Sequence, residues 1–339
     1  MTITWIHETG TPVTAILDEG GTADAAAAVS WVEEHHDEVR RALTEHGALF
    51  LRGLNVHSPA DFAAVRDALF ARRAAYQEKA TPRSDFGDDV FSSTDLPPAH
   101  AIRMHNENSY TLTFPGLLLF GCLTAPQEGG ATPVADVREV LRLLPADLAA
   151  RFREHGWRLN RHYAEHISLS WRTAFATESP EDVERYGAAN GIEVRWGPDD
   201  TLSTSQLRSA TIRHPRTGEE VWFNHVAFWN EWSLDPDIRD VMVDEFGPEG
   251  LPFNTFLGDG TPLTPQEVAL LDAAYEQATV RRAWRTGDLL LVDNVLAAHG
   301  RDPFRGDRKI VVGMGEPVAL ADCSPSLSVP AAAVPAGVA

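Results

Sequence analysis

The chain contains little cysteine and no long apolar run. Cys122 and Cys323 are the only cysteines among 339 residues, which excludes a disulfide framework and a cysteine-based zinc site. No segment is long and apolar enough to cross a bilayer, and Met1 to Gly10 lacks the basic segment and apolar core of a secretion signal. The sequence therefore predicts a soluble, cytoplasmic protein that does not act at a membrane.

Positive charge is also scarce. The chain carries 29 Lys and Arg residues against 49 Asp and Glu residues, for a formal net charge of −20. Such a chain repels phosphate backbones, and no basic run reverses this effect locally. Nucleic acid is therefore not expected as a partner. The length is ordinary for a single large β-rich enzyme with insertions.

The segment 103–110 contains the first residues that point to chemistry. His105 and Glu107 stand two positions apart, and the residues around them favour a strand, in which side chains at i and i+2 share a face. An imidazole and a carboxylate on one face can bind one metal ion together. About two His-x-Asp/Glu pairs are expected by chance in this composition. Three occur, but the other two lie in a predicted helix over about 25–46, where i and i+2 diverge.

Hydrophobic periodicity and capping residues predict the elements that support this segment. The loop at 77–98, rich in Pro, Asp, Ser, Thr and Gly, is expected to cover the site as a lid. Predicted helices cover about 25–46, 58–73, 137–154, 180–190 and 264–278. Predicted strands cover 48–54, 117–123, 221–224, 289–292 and 308–314, and 129–136 is predicted to be a Gly-Gly turn followed by a short strand.

A metal held by one histidine and one carboxylate needs a third protein ligand. Two histidines and one carboxylate form the facial triad of non-haem Fe(II) sites. His299 is the best remaining candidate, because it follows a buried strand and the turn Asp293-Asn294. The loop after it leads directly into a strand that can return beside the first.

These motifs resemble those of the Fe(II)/2-oxoglutarate-dependent oxygenases. Within them the chain is most similar to the taurine-dioxygenase and clavaminate-synthase-like group, and there to the syringomycin-type amino-acid hydroxylases. The resemblance covers about residues 45–315 and rests on His105-x-Glu107, Gly129-Gly130-x-Thr132-Pro133, Trp222-Phe223-Asn224, Gly287-Asp288, Asp293-Asn294, His299-Gly300-Arg301 and Arg308.

The resemblance implies a mainly β fold with flanking helices around a double-stranded β-helix, or jelly-roll, core. It places a single oxygenase domain over 1–322, with an insertion at about 155–255 between the metal-ligand strands. Residues 323–339, rich in Pro and Ala without periodicity, are predicted to be a disordered tail.

The resemblance also implies the metal ligands and the co-substrates. His105, Glu107 and His299 would hold Fe(II), and 2-oxoglutarate would chelate the iron through its 1-carboxylate and 2-keto oxygen, with O2 as the second co-substrate. Halogenation is disfavoured, because Glu107 occupies the position that a halide would need.

Two further residues would bind 2-oxoglutarate by the same resemblance. Arg308 would pair with the distal carboxylate through two parallel hydrogen bonds, and Thr132 would donate its hydroxyl to the same group. Arg301 and Arg305 compete for the arginine role. Arg308 is favoured because it opens the predicted returning strand, whereas the other two lie in the preceding loop.

Substrate contacts are predicted for Arg83, Arg103, Arg161 and Asn224. A free amino acid needs a counter-ion for its α-carboxylate, and the three arginines are candidates. Solvated surface charge explains Arg83 at least as well, and a packed strand explains the residues next to Asn224. His162 and His166 have the spacing of helical zinc ligands but lack the glutamate of metalloproteases, so a pocket wall or surface position is favoured over a second metal site.

The predicted function is hydroxylation of an unactivated C–H bond of an amino acid or amino-acid derivative in secondary metabolism of the antibiotic-producing kind, with release of succinate and CO2. Desaturation, epoxidation and cyclisation are alternatives at the same site. A non-catalytic jelly-roll binding protein and a zinc hydrolase are alternatives of other classes. The sequence leaves open whether the substrate is free or tethered to a carrier protein, and it does not define the oligomeric state.

Overall fold

The computed structural model describes residues 3–17, 21–74, 78–81, 83–163 and 168–328. Most of the tail predicted over 323–339 lies outside the described residues, as does His166 of the alternative second metal site. Within the described part of the chain, no helix has the length and apolar character needed to span a membrane.

The described part of the chain contains both helices and strands, and most of the strands follow one another in runs. Helices α1 to α9 cover Ala25–His46, Pro59–Leu69, Val137–Leu143, Ala146–His155, Trp171–Phe175, Pro180–Asn190, Val226–Trp229, Pro236–Phe246 and Pro265–Ala278. Strands β1 to β19 cover Ile3–Ile6, Val13–Leu17, Ala48–Arg52, Phe91–Ser92, Ile102–His105, Thr113–Thr124, Glu128–Gly129, Val134–Asp136, Trp157–Tyr163, Ile192–Trp196, Leu202–Arg208, Thr211–Arg213, Glu220–Trp222, Phe253–Leu257, Thr279–Val280, Leu289–Asp293, Ala297–Arg301, Phe304–Arg305 and Lys309–Ala319.

Two sheets lie face to face at the centre. The larger has the order β1-β2-β3-β16-β6-β19-β4, and the smaller has the order β15-β8-β17-β5. Leu117 and Leu119 of β6 pack towards α1 and α2, while Leu118 and Phe120 pack towards the smaller sheet. Because β6 is covered on both faces, it is apolar at nearly every position. The prediction of a strand buried on both faces here is confirmed.

Capping residues determine where the two helices behind the larger sheet begin and end. Helix α1 begins after Asp24, whose side chain accepts a hydrogen bond from the Ala27 N–H, and ends at Gly47, which is left-handed with φ of 74°. Helix α2 begins with a capping box formed by Ser58 and Asp61. The prediction of helix α1 over about 25–46 is confirmed.

Several predicted boundaries are wrong for local reasons. The helix predicted over 137–154 is two helices, because a residue that precedes proline is disfavoured in a helix and Leu144-Pro145 interrupts it. Helix α2 ends at Leu69, four residues earlier than predicted. The returning strand β19 begins at Lys309, so Arg308 directly precedes it.

A further sheet, in the order β10-β11-β9-β14, is formed by residues that lie between the metal-ligand strands in the sequence. Strand β9 alternates between buried and half-buried positions, and Trp157, Leu159, Arg161 and Tyr163 are its buried residues. An arginine on the buried face of such a strand is unusual.

Candidate active site

His105, Glu107 and His299 come together at the edge of the smaller sheet. Strand β5 pairs with β17 so that His105 lies directly opposite His299. One ligand atom from each of the three residues lies within 4.8 Å of the others, and His299 Nε2 is 3.7 Å from Glu107 Oε2. Two imidazole nitrogens and one carboxylate at this spacing fit a divalent ion that keeps positions open for other ligands.

Glu107 reaches the two histidines for a reason that the sequence did not predict. Strand β5 ends at His105, and Glu107 lies in a turn in which Asn108 is left-handed with φ of 55°. The predicted strand geometry of the pair is therefore wrong. The side-chain amide of Asn294 positions Glu107 instead: its Oδ1 accepts from the Glu107 N–H at 2.7 Å, and its Nδ2 donates to the Glu107 carbonyl at 2.9 Å.

Replacing Asn294 is expected to weaken metal binding without removing a ligand. Asn294 is fully buried, and its Nδ2 also donates to the Pro115 carbonyl at 2.7 Å. We expect Asn294→Ala to lower Mn(II) affinity by about 10- to 100-fold and the free energy of unfolding by roughly 1–3 kcal/mol, because the peptide groups of Glu107 lose their partner. Anaerobic Mn(II) titration by EPR and denaturant unfolding measure the two effects. Asn190→Ala, at the end of α6, is the control, and equal Mn(II) affinity in both variants would contradict this role.

The protonation of the two histidines suits metal binding. His105 Nδ1 lies 2.9 Å from the Arg103 carbonyl, so this nitrogen carries the proton and Nε2 offers its lone pair. Burial lowers the pKa of His105 and lowers the pKa of His299 well below its usual value. Both imidazoles are therefore neutral at neutral pH, which is the form that binds a metal ion.

Arg308 and Thr132 are in direct contact with each other. Arg308 Nη2 donates to Thr132 Oγ1 at 3.3 Å, and Arg308 Nε donates to the Gly130 carbonyl at 3.0 Å. Trp284 Nε1 also donates to Thr132 Oγ1, at 3.2 Å, so the hydroxyl proton is directed to a further acceptor. Burial lowers the pKa of Arg308 to about 10, which leaves the guanidinium charged at neutral pH.

A cavity of about 480 Å³, including its open mouth, joins this pair to the metal-binding histidines, and its walls include Ser93, His105, Phe120, Thr132, His299 and Arg308. The two arginines that compete with Arg308 have other partners. Arg301 donates to the carbonyls of Leu96, Pro97 and His100, which fastens that loop beside the cavity. Arg305 is exposed and lies beside Glu128. Their positions favour Arg308 as the anion-binding arginine.

Of the four residues predicted to contact substrate, Arg83 contacts a candidate metal ligand directly and Arg161 lies in strand β9. Arg83 Nη2 donates to both carboxylate oxygens of Glu107, at 3.0 and 2.9 Å. Arg161 is buried on β9 and reaches the segment before Arg83 by donating to the Lys79 carbonyl at 3.1 Å. Thr81 and Arg83, which follow Lys79 in the chain, line the cavity.

The other two predicted substrate residues are used by the fold. Arg103 is exposed and forms an ion pair with Asp272 at 2.8 Å, so its guanidinium is occupied at the surface. The Asn224 side chain is buried, donating to the Ala210 carbonyl at 3.0 Å and accepting from the Val226 N–H at 3.0 Å. These two bonds hold the connection from β13 to α7.

Sequence reasoning missed several residues that complete the site. The Phe228 ring lies 4.7 Å from that of His105 and forms part of the cavity wall. Trp284 orients Thr132, and Asn294 orients Glu107. The signal for Phe228 and Trp284 was only that an aromatic residue lies near a predicted turn or strand, which core packing explains equally well.

Comparison with known proteins identifies the family. Residues 10–314 match the family described as taurine catabolism dioxygenase TauD, TfdA family. The chain belongs to the TauD/TfdA family of dioxygenases. Its sequence is 36% identical over 283 residues to the dapdiamide synthesis protein DdaC of Enterobacter agglomerans, covering 84% of this chain and 86% of DdaC. It is also 29% identical over 284 residues to a clavaminate synthase-like protein of Arabidopsis thaliana, covering 80% of this chain and 82% of that protein.

Solved structures show the same fold at low sequence identity. PvcB of Pseudomonas aeruginosa matches with a TM-score of 0.53 at 14% identity, covering 97% of this chain and 95% of PvcB. PvcB is described as an Fe, alpha-ketoglutarate dependent oxygenase from an isonitrile synthetic pathway. AAD-2 in complex with Mn(II) and N-oxalylglycine matches with a TM-score of 0.52 at 13% identity, covering 96% of this chain and all of AAD-2.

Fe(II) and 2-oxoglutarate are the metal and the co-substrate of this TauD/TfdA-family dioxygenase. The donor set of two neutral imidazoles and one carboxylate fits Fe(II). A charged arginine next to a hydroxyl with a proton to donate fits a carboxylate. The family expectation, the enzyme class and the co-substrates predicted from the sequence are confirmed.

Proposed function

We propose that this dioxygenase hydroxylates an unactivated C–H bond of an amino acid or amino-acid derivative in secondary metabolism. The main support is that two of the three candidate metal ligands, His105 and His299, line the same cavity as Arg308 and Thr132. Bound Fe(II) and 2-oxoglutarate supply the oxidation: O2 gives one oxygen atom to the substrate C–H and one to succinate, and CO2 leaves.

The residues of this chain have separate tasks in the proposed reaction. His105, Glu107 and His299 hold the metal, and Asn294 keeps the Glu107 backbone in place. Arg308 and Thr132 bind the distal carboxylate of 2-oxoglutarate. This contact fixes the end of the co-substrate that points away from the metal.

Aromatic residues form the apolar part of the cavity wall. Phe120 lies beside the His299 ring at 5.1 Å, and Phe228 lies beside the His105 ring. Such walls exclude water and restrict which C–H bond of the substrate reaches the metal.

The core is assigned as the double-stranded β-helix of the family. Its defining feature is that successive strands alternate between two facing sheets. Here β5, β8 and β17 belong to the smaller sheet, whereas β6, β16 and β19 belong to the larger one. Along the chain the order β5, β6, β8, β16, β17, β19 therefore passes back and forth between the sheets, which supports the assignment.

The relatives support a biosynthetic role. DdaC is named for dapdiamide synthesis, and PvcB is described as belonging to an isonitrile synthetic pathway. Both are proteins of secondary metabolism, and DdaC is similar to this chain over most of its length. Desaturation, epoxidation or cyclisation would use the same residues, since the placement of the substrate selects the outcome.

The experiment that tests the proposal is succinate release from 2-oxoglutarate with Fe(II) and O2, across free amino acids and the same amino acids loaded on a carrier protein. Stimulation by an amino acid in either form, with a product that gains one oxygen atom, would support hydroxylation. A product that loses two hydrogens would establish desaturation instead. No stimulation by any amino acid would overturn the proposed substrate class, while slow succinate release without substrate would still report the family chemistry.

A further inference from the structure

Arg161 is a buried arginine whose hydrogen-bonding capacity is largely unused. It lies on the buried face of β9, opposite Phe253 on one neighbouring strand and Thr204 on the other, and it is 3% exposed. Its Nη2 donates to the Lys79 carbonyl, but Nε and Nη1 have no hydrogen-bond partner within the described ranges of the chain. Buried donors normally have partners, so two unused ones on a charged group indicate a missing acceptor.

Among the described residues Arg161 forms no ion pair, and the carboxyl whose charge interacts with it is that of Glu78. No carboxylate among residues 3–328 that the structure describes lies within ion-pair distance of it, and its guanidinium lies against the rings of Tyr163 and Phe253, at 4.6 and 4.8 Å. The nearby carboxyl of Glu78 accepts a hydrogen bond from Tyr186 at 2.8 Å, and burial raises its pKa. A buried, unpaired charge is costly, and a fold that retains one commonly uses it.

A row of stacked rings connects Arg161 with the candidate metal ligands. Phe253, against which Arg161 lies, stacks on Trp229 at 4.6 Å. Trp229 stacks on His225 at 4.3 Å, and the His225 ring lies 5.3 Å from that of His105. The rings of Phe253, Trp229 and His225, here called the ring wall, are in continuous contact from Arg161 to His105.

The segment from Lys79 to Arg83 also connects Arg161 with the candidate metal ligands. Arg161 donates to the carbonyl of Lys79, and Arg83, four residues later, contacts Glu107. Four residues span at most about 14 Å. The guanidinium is therefore tied to the same short segment that reaches the metal-binding residues.

We propose that Arg161 binds the carboxylate of a free amino acid, whose target C–H then lies along the ring wall towards His105. This inference rests on the proposed function and specifies its substrate class as an amino acid with an unesterified carboxyl group. A planar guanidinium with two unused donors matches a carboxylate in both charge and geometry. Of the other candidate arginines, Arg83 is paired with Glu107 and Arg103 with Asp272. An amino acid held as a carrier thioester has no such carboxylate, and the acceptor would be missing.

The test compares each free amino acid with its α-carboxamide, which keeps the side chain and the amine but removes the negative charge. With the wild-type enzyme, the acid that stimulates succinate release is expected to have a KM about 100-fold lower than its amide. In Arg161→Met this preference should disappear, because the KM of the acid rises towards that of the amide. Arg161→Lys should keep part of the preference, because it keeps the charge and loses the fork.

Arg158→Met is the matched control, since Arg158 lies three residues away on β9 and its side chain donates to Ser205. It should keep the full preference for the acid. Thermal unfolding distinguishes a binding role from a structural one: an arginine that only supports the fold would lower the melting temperature when removed. Removing an uncompensated buried charge should leave the melting temperature of Arg161→Met at or above the wild-type value. The acid should also raise the melting temperature of anaerobic, Mn(II)-loaded wild type but not of Arg161→Met.

Three results would overturn the inference and leave the proposed hydroxylase activity intact. They are equal use of acid and amide by the wild type, a preserved preference in Arg161→Met, and stimulation only by carrier-loaded amino acids. Absence of stimulation by any amino acid in either form would overturn the proposed substrate class and this inference together. An unfolded Arg161→Met would leave Arg161→Lys to decide, through its preference for the acid over the amide.

Discussion

His299→Ala is expected to abolish substrate-stimulated succinate release and to lower Mn(II) affinity on the order of 100-fold or more. His299 is one of the two imidazoles in the three-ligand cluster, so its loss leaves one imidazole and one carboxylate. The pairing of β17 with β5 should persist, because it depends on backbone hydrogen bonds and the smaller sheet, so the variant should fold.

Anaerobic EPR titration with Mn(II) measures the affinity, and succinate release measures turnover. His36→Ala is the control, since His36 lies on the outer side of α1 and is partly exposed. It should match the wild type in both measurements. Iron-dependent activity that remained unchanged in His299→Ala would show that the metal is held elsewhere.

Arg308→Met should raise the 2-oxoglutarate concentration needed for half-maximal rate by about 100- to 1000-fold, because a carboxylate in the cavity would lose its charged partner. Saturating 2-oxoglutarate should restore much of the rate, since the metal ligands are unaffected. Arg308→Lys should fall in between, because a point charge replaces two parallel donors.

The pH dependence provides a second readout of the same residue. The pKa of Arg308 is lowered to about 10, so the group is charged below that pH and loses its charge above it. Wild-type affinity for 2-oxoglutarate should therefore stay constant near neutral pH and weaken as the pH rises through 10. Arg142→Met, which removes an exposed arginine paired with Glu139, is the control. An unchanged 2-oxoglutarate requirement in Arg308→Met would assign the carboxylate to another residue.

The sequence predicted the elements whose causes are local. Helix α1 has an Asp24 cap, an apolar face and a terminal Gly47, and β6 is apolar because both of its faces are covered. These signals lie within a few residues of the element that they define. The resemblance added what no local signal contains, namely that His299 belongs with His105.

The rest of the site depends on contacts between distant segments. Asn294 lies 187 positions from Glu107 in the sequence. No residue near Glu107 indicates that the side-chain amide of Asn294, and not a neighbouring strand, will bind the Glu107 backbone. Arg103 has the spacing of a residue that faces the metal, but Asp272 binds it at the surface. The Nε and Nη1 donors of Arg161 are unused because none of the described neighbouring residues provides a hydrogen-bond acceptor for them. Only the folded structure shows which residues those neighbours are.

The strand pairing of His105 with His299 has a consequence for how the protein is made. His105 and Glu107 leave the ribosome well before His299 and Arg308. Because two ligands hold a metal ion far more weakly than three, a chain whose His299 has not yet emerged is expected to bind iron only weakly. Tight iron binding is therefore expected only after strand β17 has paired with β5.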